Sequence, residues 1–436
     1  MSEYWDIFFG ADLAIVDAGI ARLIHLEEER QAGRIILIPS ESIAPAPVRA
    51  ALGSVFNNIY AEGYPALRMV RDDEQLLLDV EHQLSYYRRY GDRRFYKGAD
   101  LVNIVESLAM RRCCDCFANE RVSSQNLYAN IQPLSGAAAN LAVYDAIMNP
   151  GDTLMGMDLY QGGHLTHGSR FNISGRRYKV ASYGVDRDGR LDYEAIMQQA
   201  LAARPKVIVA GYTSYPWAPD WAKFRQIADA CGAYLMADSA HPAGLVVAGA
   251  YPSPVGYADV TTFTTHKTIC GPRGAVILTT NEAIAKKVSA AVFPGAQGGP
   301  HPNKFAAMAV AFHIAQTDAF RRLMFRIVEN AQALAESLQK RGLTLAYGGT
   351  NTHLLMVDLR AIKTPTSEPL RGEAAVRIME LVGLVANKNT IPGDTETALG
   401  SGVRLGTPWV TQRGMGAAEM DALADCIARL LTAIHP

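Results

Sequence analysis

From about residue 98 to 290, short apolar runs alternate with amphipathic segments, and no other feature constrains the fold as much. TLMGM (153–157), KVIVAGY (206–212), AYLMADS (233–239), DVTTF (259–263) and AVILTT (275–280) read as strands. Between them, LDYEAIMQQALAA and WAKFRQIADACG carry apolar residues at helical spacing. This alternation predicts an α/β fold, a mostly parallel sheet with helices on both faces. Ligands of such sheets bind beyond the carboxyl ends of the strands, so polar residues just past each strand are the ones to search.

Beyond about residue 318, two long helices flank a shorter strand set, TLAYGG, HLLMVDLR and VRLGT, which predicts a second, smaller α/β domain. A length of 436 residues accommodates two or three domains. The expected division is a helical arm over 1–50, a large domain over 51–318 and a small C-terminal domain over 319–436. Within the large domain, 69–94 reads as one amphipathic helix with Leu77, Val80, Leu84 and Tyr87 as its apolar stripe. Four such side chains left in water would each forgo roughly 1.5–3 kcal/mol, so the stripe is expected to be buried, at or near a subunit interface.

A net charge of -1 gives no electrostatic reason to expect nucleic acid or an acidic membrane as partner. No apolar run approaches the roughly 20 residues that span a bilayer, and MSEYWDIFFGAD lacks the pattern of a signal peptide. A cytoplasmic enzyme is the expectation. Three of the six cysteines, Cys113, Cys114 and Cys116, crowd one helical segment; without a second ligand pair they read as small apolar fillers, and no metal site is expected.

The chemistry concentrates in DVTTFTTHKTICGPRG (259–274) and ADSAHPAG (237–244). The first runs off a strand into His266 and Lys267, and a lysine placed there suits imine formation with a carbonyl cofactor. The second delivers Asp238 at a strand's carboxyl end, where a buried carboxylate needs a cationic partner or hydrogen bonds. The protonated ring nitrogen of pyridoxal phosphate is such a partner.

With these go GGHLTHGS, EGYP, FPGAQGGP and RLGTP, and together they make the chain resemble the serine hydroxymethyltransferases over nearly its whole length. The resemblance implies a fold-type I pyridoxal phosphate enzyme, with a mostly parallel seven-stranded sheet and a smaller C-terminal α/β domain. It implies that Lys267 carries the cofactor, Asp238 pairs with the pyridine nitrogen, His164 stacks on the ring, and His241 and Thr213 lie at its phenolic edge. Ser135, Gly136, Ala137, Thr264 and His266 would complete the cofactor's surroundings. Arg404 and Ser40 would hold the substrate carboxylate, a task suited to the planar guanidinium. Tyr60, Glu62, Gly298 and Gly299 would reach in from a neighbouring subunit, in a homodimer or tetramer with shared sites. Glu62 and Tyr96, which also line the substrate, would handle protons with Lys267 and His241; Leu159 and Asn389 would meet tetrahydrofolate.

Three departures stand out. The phosphate loop SGAAAN has Ala137 where the family has a hydroxyl; EGYPALR is separated from FYKGAD by the 69–94 insertion; and Ser42 replaces a typical Asn. The expected reaction is reversible Cα–Cβ cleavage of serine, or an α-methylserine-like relative, with one-carbon transfer to tetrahydrofolate. The alternative is a folate-independent β-hydroxy amino acid aldolase, because the insertion lies beside the expected folate mouth. A non-catalytic pyridoxal-binding protein would not require Lys267, Asp238, His164 and Arg404 together.

Overall fold

The computed structural model describes residues 9–433. After a single short turn, helix α1 (Ala18–Gly33) is N-capped by Asp17, whose carboxylate accepts from the Ile20 amide, and none of its residues is buried. The chain then adds Ile35–Ile36 in parallel to Leu384–Val385, and Leu37 enters the core of the C-terminal half. The first residues of the expected arm lie outside the described residues; the short strand within it belongs by packing to the far end of the chain, while the helix Ala46–Leu52 at its end buries Val48 in the core of the large domain.

The large sheet has seven strands: β1 (Tyr128–Asn130), β2 (Thr153–Met157), β3 (Lys179–Tyr183), β4 (Val207–Ala210), β5 (Tyr234–Asp238), β6 (Val260–Thr264) and β7 (Ala275–Thr279). Their order is β1-β7-β6-β5-β4-β2-β3, and β7 alone runs antiparallel to its neighbours. β4 and β6 are buried at every residue, as expected of parallel strands covered on both faces. Because β5 and β6 run parallel and adjacent, their carboxyl ends set Asp238 and the Thr264–Lys267 turn side by side.

The second sheet contains β8 (Thr344–Leu345), β9 (Leu354–Asp358), β10 (Asn387–Asn389) and β11 (Gly402–Gly406), ordered β8-β9-β11-β10 and antiparallel throughout. Arg404 lies mid-strand in β11, in register with Met356 and Asn387. The helix Asp318–Lys340 joins the two halves: Phe320, Met324 and Ile327 enter the core under the large sheet, while Leu334 and Leu338 enter the core under the small one. Among the described residues no helix is long and apolar enough to cross a membrane.

The 69–94 segment departs from expectation. It forms two helices, Glu74–Leu78 and Val80–Tyr90, because the Asp79 carboxylate caps the second at the His82 amide and breaks the first. The break rotates the stripe apart. Leu77 is fully buried with Met69 and Ile104, Leu84 and Tyr87 are half-buried, and Val80 is 42% exposed. The buried residue of the second helix is Gln83, which accepts from Arg68 and donates to the Leu76 carbonyl and Asp72. Glu74 pairs with Arg112 on the helix Asp100–Phe117, so the segment is pinned to the body of its own subunit.

Candidate active site

Asp238, the last residue of β5, is the hub. Its Oδ2 accepts from Asn140 Nδ2 at 2.8 Å and lies 2.9 Å from His167 Nε2, while Oδ1 accepts from the Ala240 amide at 3.0 Å. The His164 amide donates to His167 Nδ1, which leaves the Nε2 proton facing Asp238. Burial alone would raise the carboxyl pKa, but the hydrogen bonds from His167 and Asn140 and the nearby imidazoles hold it well below the usual range. The group is therefore an anion ready for a cationic partner. His164 shares a 2.7 Å bond with Thr166, and burial, with His167 and Lys267 nearby, lowers its pKa to about 4, so its ring is neutral. His164, His167 and Asp238 place ligand-type atoms within 4.8 Å of one another, and these atoms are already engaged with Thr166 or with each other.

Lys267 lies on the tight turn from β6 to β7, closed by the Gly271 amide donating to Thr265 O and the Thr265 amide donating to Gly274 O. Cys270 takes φ 59° in that turn, a strained conformation for a residue that is not glycine. Ser42 Oγ donates to the Lys267 carbonyl at 2.7 Å. Burial, with Arg404 and Arg273 nearby, outweighs the attraction of Asp238 and lowers the Lys267 pKa to about 8. A buried amine of that pKa is a competent nucleophile near neutrality.

Arg404 reaches the same space from the small sheet. Its Nε donates to Asn387 Oδ1 at 3.1 Å and its Nη1 to the Thr213 carbonyl at 2.7 Å, while Nη2 has no protein partner among the described residues. The guanidinium is locked in place with its outer edge available for a carboxylate. Thr213 thus contributes its backbone, and its hydroxyl bonds no protein group among the described residues. Leu37 O accepts from the Gly406 amide, which lays the segment bearing Ser40 and Ser42 alongside β11. His241 Nδ1 lies 3.2 Å from His353 Nε2; burial and neighbouring cations depress both pKa values, that of His353 to about 3. The two rings are neutral partners, one donating and one accepting.

The loop before the helix Gly136–Ile147 has the form of an anion cradle. Ser135 caps the helix at the Ala138 amide, and a side chain at Gly136 would meet Thr264 Cγ2 at 2.8 Å. Thr264 is itself fixed by donating to the Ala240 carbonyl. Ala137 leaves the first turn without a second hydroxyl, but its backbone N–H remains. His266 Nδ1 is buried without a hydrogen-bond partner among the described residues, and burial with Lys267 and Arg273 lowers its pKa to about 4.

Leu159 opens a single turn that ends at Gly162, whose carbonyl accepts from the Thr213 and Ser214 amides; Ser214 Oγ in turn accepts from Asn389 Nδ2 at 3.0 Å. The Asn389 side-chain oxygen is left without a protein partner among the described residues.

Tyr60, Glu62, Tyr96, Gly298 and Gly299 form a separate surface cluster. The Tyr60 and Tyr96 rings meet edge to face at 5.0 Å, and Cβ atoms at Gly298 and Gly299 would lie 3.1 Å from Glu62 Oε1 and 2.9 Å from the Tyr60 ring. No hydrogen bond, ion pair or ring contact among the described residues links this cluster to Lys267, Asp238 or Arg404 of the same chain.

The residues present fit pyridoxal phosphate: an ionised buried carboxylate for the ring nitrogen, a lysine of lowered pKa for the aldehyde, and a capped helix N-terminus for the phosphate. Sequence reasoning missed His167, Asn140 and His353. His167 lies in the GGHLTHGS motif three residues beyond His164, a spacing that marks one turn; His353 carried no signal.

The serine hydroxymethyltransferase family profile matches residues 13–88 and 81–427. The serine hydroxymethyltransferase of Caulobacter sp. (strain K31) is 44% identical over 429 residues, 98% of this chain and 90% of that protein. That of Synechococcus sp. (strain JA-3-3Ab) is 44% identical over 429 residues, covering 97% and 91%, and that of Nostoc punctiforme 44% over 423 residues, covering 96% and 90%.

Proposed function

The chain belongs to the serine hydroxymethyltransferase family, and we propose that it converts serine and tetrahydrofolate to glycine and a one-carbon folate with pyridoxal phosphate as cofactor. The observation that carries this is the convergence of Lys267, Asp238 and Arg404, from two different sheets, on one space. The full-length relatives named serine hydroxymethyltransferase favour this reaction over the folate-free aldolase.

Pyridoxal phosphate, when bound, supplies the electron sink that lets the Cα–Cβ bond break. Lys267 would hold it through the aldehyde carbon, Asp238 at the ring nitrogen, His164 over the ring, and Ser135, Gly136, the Ala137 amide, Thr264 and His266 around the phosphate. Asp238 is kept ionised by His167 and Asn140, so it stabilises a protonated ring nitrogen. Arg404 takes the α-carboxylate and thereby sets which substrate bond faces the ring, with Ser40 beside it. His241, held by His353, would face the phenolic edge together with Thr213. Leu159 and Asn389 supply an apolar side chain and a free amide oxygen for the pterin.

The proton-handling group is Glu62, with Tyr96, and among the described residues the cluster they form with Tyr60 makes no bond to the chain's own Lys267, as expected of a site shared between two subunits. A homodimer is further supported by α1, a 16-residue helix with no buried residue whose Ile20, Leu23, Ile24 and Leu26 are all exposed. A helix draws most of its stability from burying an apolar face, and this one buries none within its own chain, so a second copy is its natural cover. The working assembly is therefore at least a dimer of such chains, acting in the cytoplasm, a location with which six free cysteines accord. Serine cleavage assayed with and without tetrahydrofolate tests the reading. Strong dependence on tetrahydrofolate supports it, and equal rates in its absence would select the aldolase.

A further inference from the structure

Behind the Tyr60–Glu62 cluster lies a buried polar chain that the reaction itself does not use. Arg94 is 4% exposed, and its Nη1 donates to the carbonyls of Ala61 at 2.7 Å and Gly63 at 3.2 Å, the two groups that flank Glu62. Its Nη2 pairs with Glu106 Oε2, and its Nε donates to Asn103. Glu106, 1% exposed, accepts through its other oxygen from Gln132 Nε2 at 2.8 Å, and that same amide donates to Gly63 O at 2.9 Å. The Gln132 carbonyl accepts from Lys304 Nζ at 3.0 Å and Gln297 Nε2 at 3.1 Å; Lys304 also donates to Pro133 O, and Gln297 accepts from the Leu134 amide.

Gln132, Pro133 and Leu134 lead directly into Ser135 and Gly136, and Gln297 precedes Gly298. Three loops thus hang on one buried cluster: the turn that carries Glu62, the glycine loop beside it, and the chain's own phosphate cradle. A buried ion pair is weak evidence for stability in itself, since well-packed apolar groups often serve as well. Its evident product here is register between loops with little regular structure of their own.

We infer that Glu106 and Lys304 are positioning residues that tie Glu62, which serves the partner subunit's site, to the loop that holds the cofactor phosphate in the same chain. The inference rests on the shared dimer proposed above. Each chain's phosphate cradle then sets the geometry of the carboxylate it delivers to its partner, so the two sites are mechanically linked.

The test uses heterodimers purified through two different tags. In the first, a chain bearing Lys304→Met and Lys267→Ala is joined to a wild-type chain. The working site then has wild-type Lys267, Arg404 and phosphate loop, and Lys304→Met can reach it only through the groups that the other chain delivers across the interface, Glu62 and the glycine loop beside it. Relative to a heterodimer carrying Lys267→Ala alone, kcat should fall roughly tenfold or more, with serine KM little changed. In the second, Lys304→Met is placed in the chain with intact Lys267, and cofactor affinity should weaken instead. Glu106→Gln repeats both arms from the other end of the chain of bonds. Unchanged kcat in the first heterodimer, or the same loss of every parameter in both, overturns the inference. A Lys267→Ala and Glu62→Ala mixture serves as control: if it regains activity the shared dimer stands whatever Lys304 does, and if it does not, the shared dimer falls and takes the inference with it.

Discussion

Ser42 Oγ donates a 2.7 Å hydrogen bond to the backbone carbonyl of Lys267, joining positions 225 residues apart. Ser42 stands where the resemblance led one to expect Asn, and it still provides a donor at the base of the lysine turn. Ser42→Ala should lower stability by about 0.5–1.5 kcal/mol, the net worth of one such bond, and Ser42→Asn should restore most of it. Denaturant melts of the two variants decide; a neutral Ser42→Ala would show that the turn holds itself.

The amine of Lys267 should titrate far below an ordinary lysine. Burial, reinforced by Arg404 and Arg273, brings it to about 8. Below that pH the group is protonated and has no lone pair; above it the free amine can attack an aldehyde. The rate at which cofactor-stripped protein recaptures pyridoxal phosphate should therefore rise with pH and level off just above 8, as followed by visible absorbance. An inflection near 10 would mean that the lysine is solvated.

Arg404→Lys should separate substrate binding from cofactor binding. The ammonium cannot bond Asn387 and Thr213 while presenting a planar edge to a carboxylate. A loss of roughly 1.5–3 kcal/mol, the range for charge-assisted bonds, corresponds to tenfold or more in glycine affinity, with the cofactor spectrum unchanged. Glycine titrations of the loaded protein give the number, and a parental affinity would move the carboxylate to another cation.

The sequence made the central strands legible because they are runs of β-branched and apolar residues buried on both faces, as in Val207–Ala210 and Val260–Thr264. It left Tyr128–Asn130 and Lys179–Tyr183 unread because both lie at sheet edges, one only three residues long and the other largely exposed. The site shows the same division. Asp238 ends a strand and Lys267 lies just past one, where an α/β fold gathers its ligands, while Arg404, mid-strand in the small sheet, was legible only through the RLGTP motif. His167 and His353 act through tertiary contacts to Asp238 and His241 that no local pattern announces.

The misread stripe of 69–94 makes its own forecast. Leu77→Ala should cost about 2–5 kcal/mol, since Leu77 fills a closed cluster with Met69 and Ile104. Val80→Ala, at 42% exposure, should be near neutral unless a partner covers it. Melting both variants at low and high protein concentration distinguishes the cases. A Val80→Ala defect that depends on concentration would place the second helix at the subunit interface.

The most direct measurement mixes two inactive chains, Lys267→Ala and Glu62→Ala, and follows tetrahydrofolate-dependent glycine formation from serine. One site of each heterodimer regains Lys267, Asp238 and Arg404 from one subunit and an intact Glu62 from the other. The account predicts activity approaching one quarter of wild type at equal mixing, the share expected when half the dimers are mixed and each has one whole site. No recovery, with subunit exchange demonstrated by tagged chains, would contradict it.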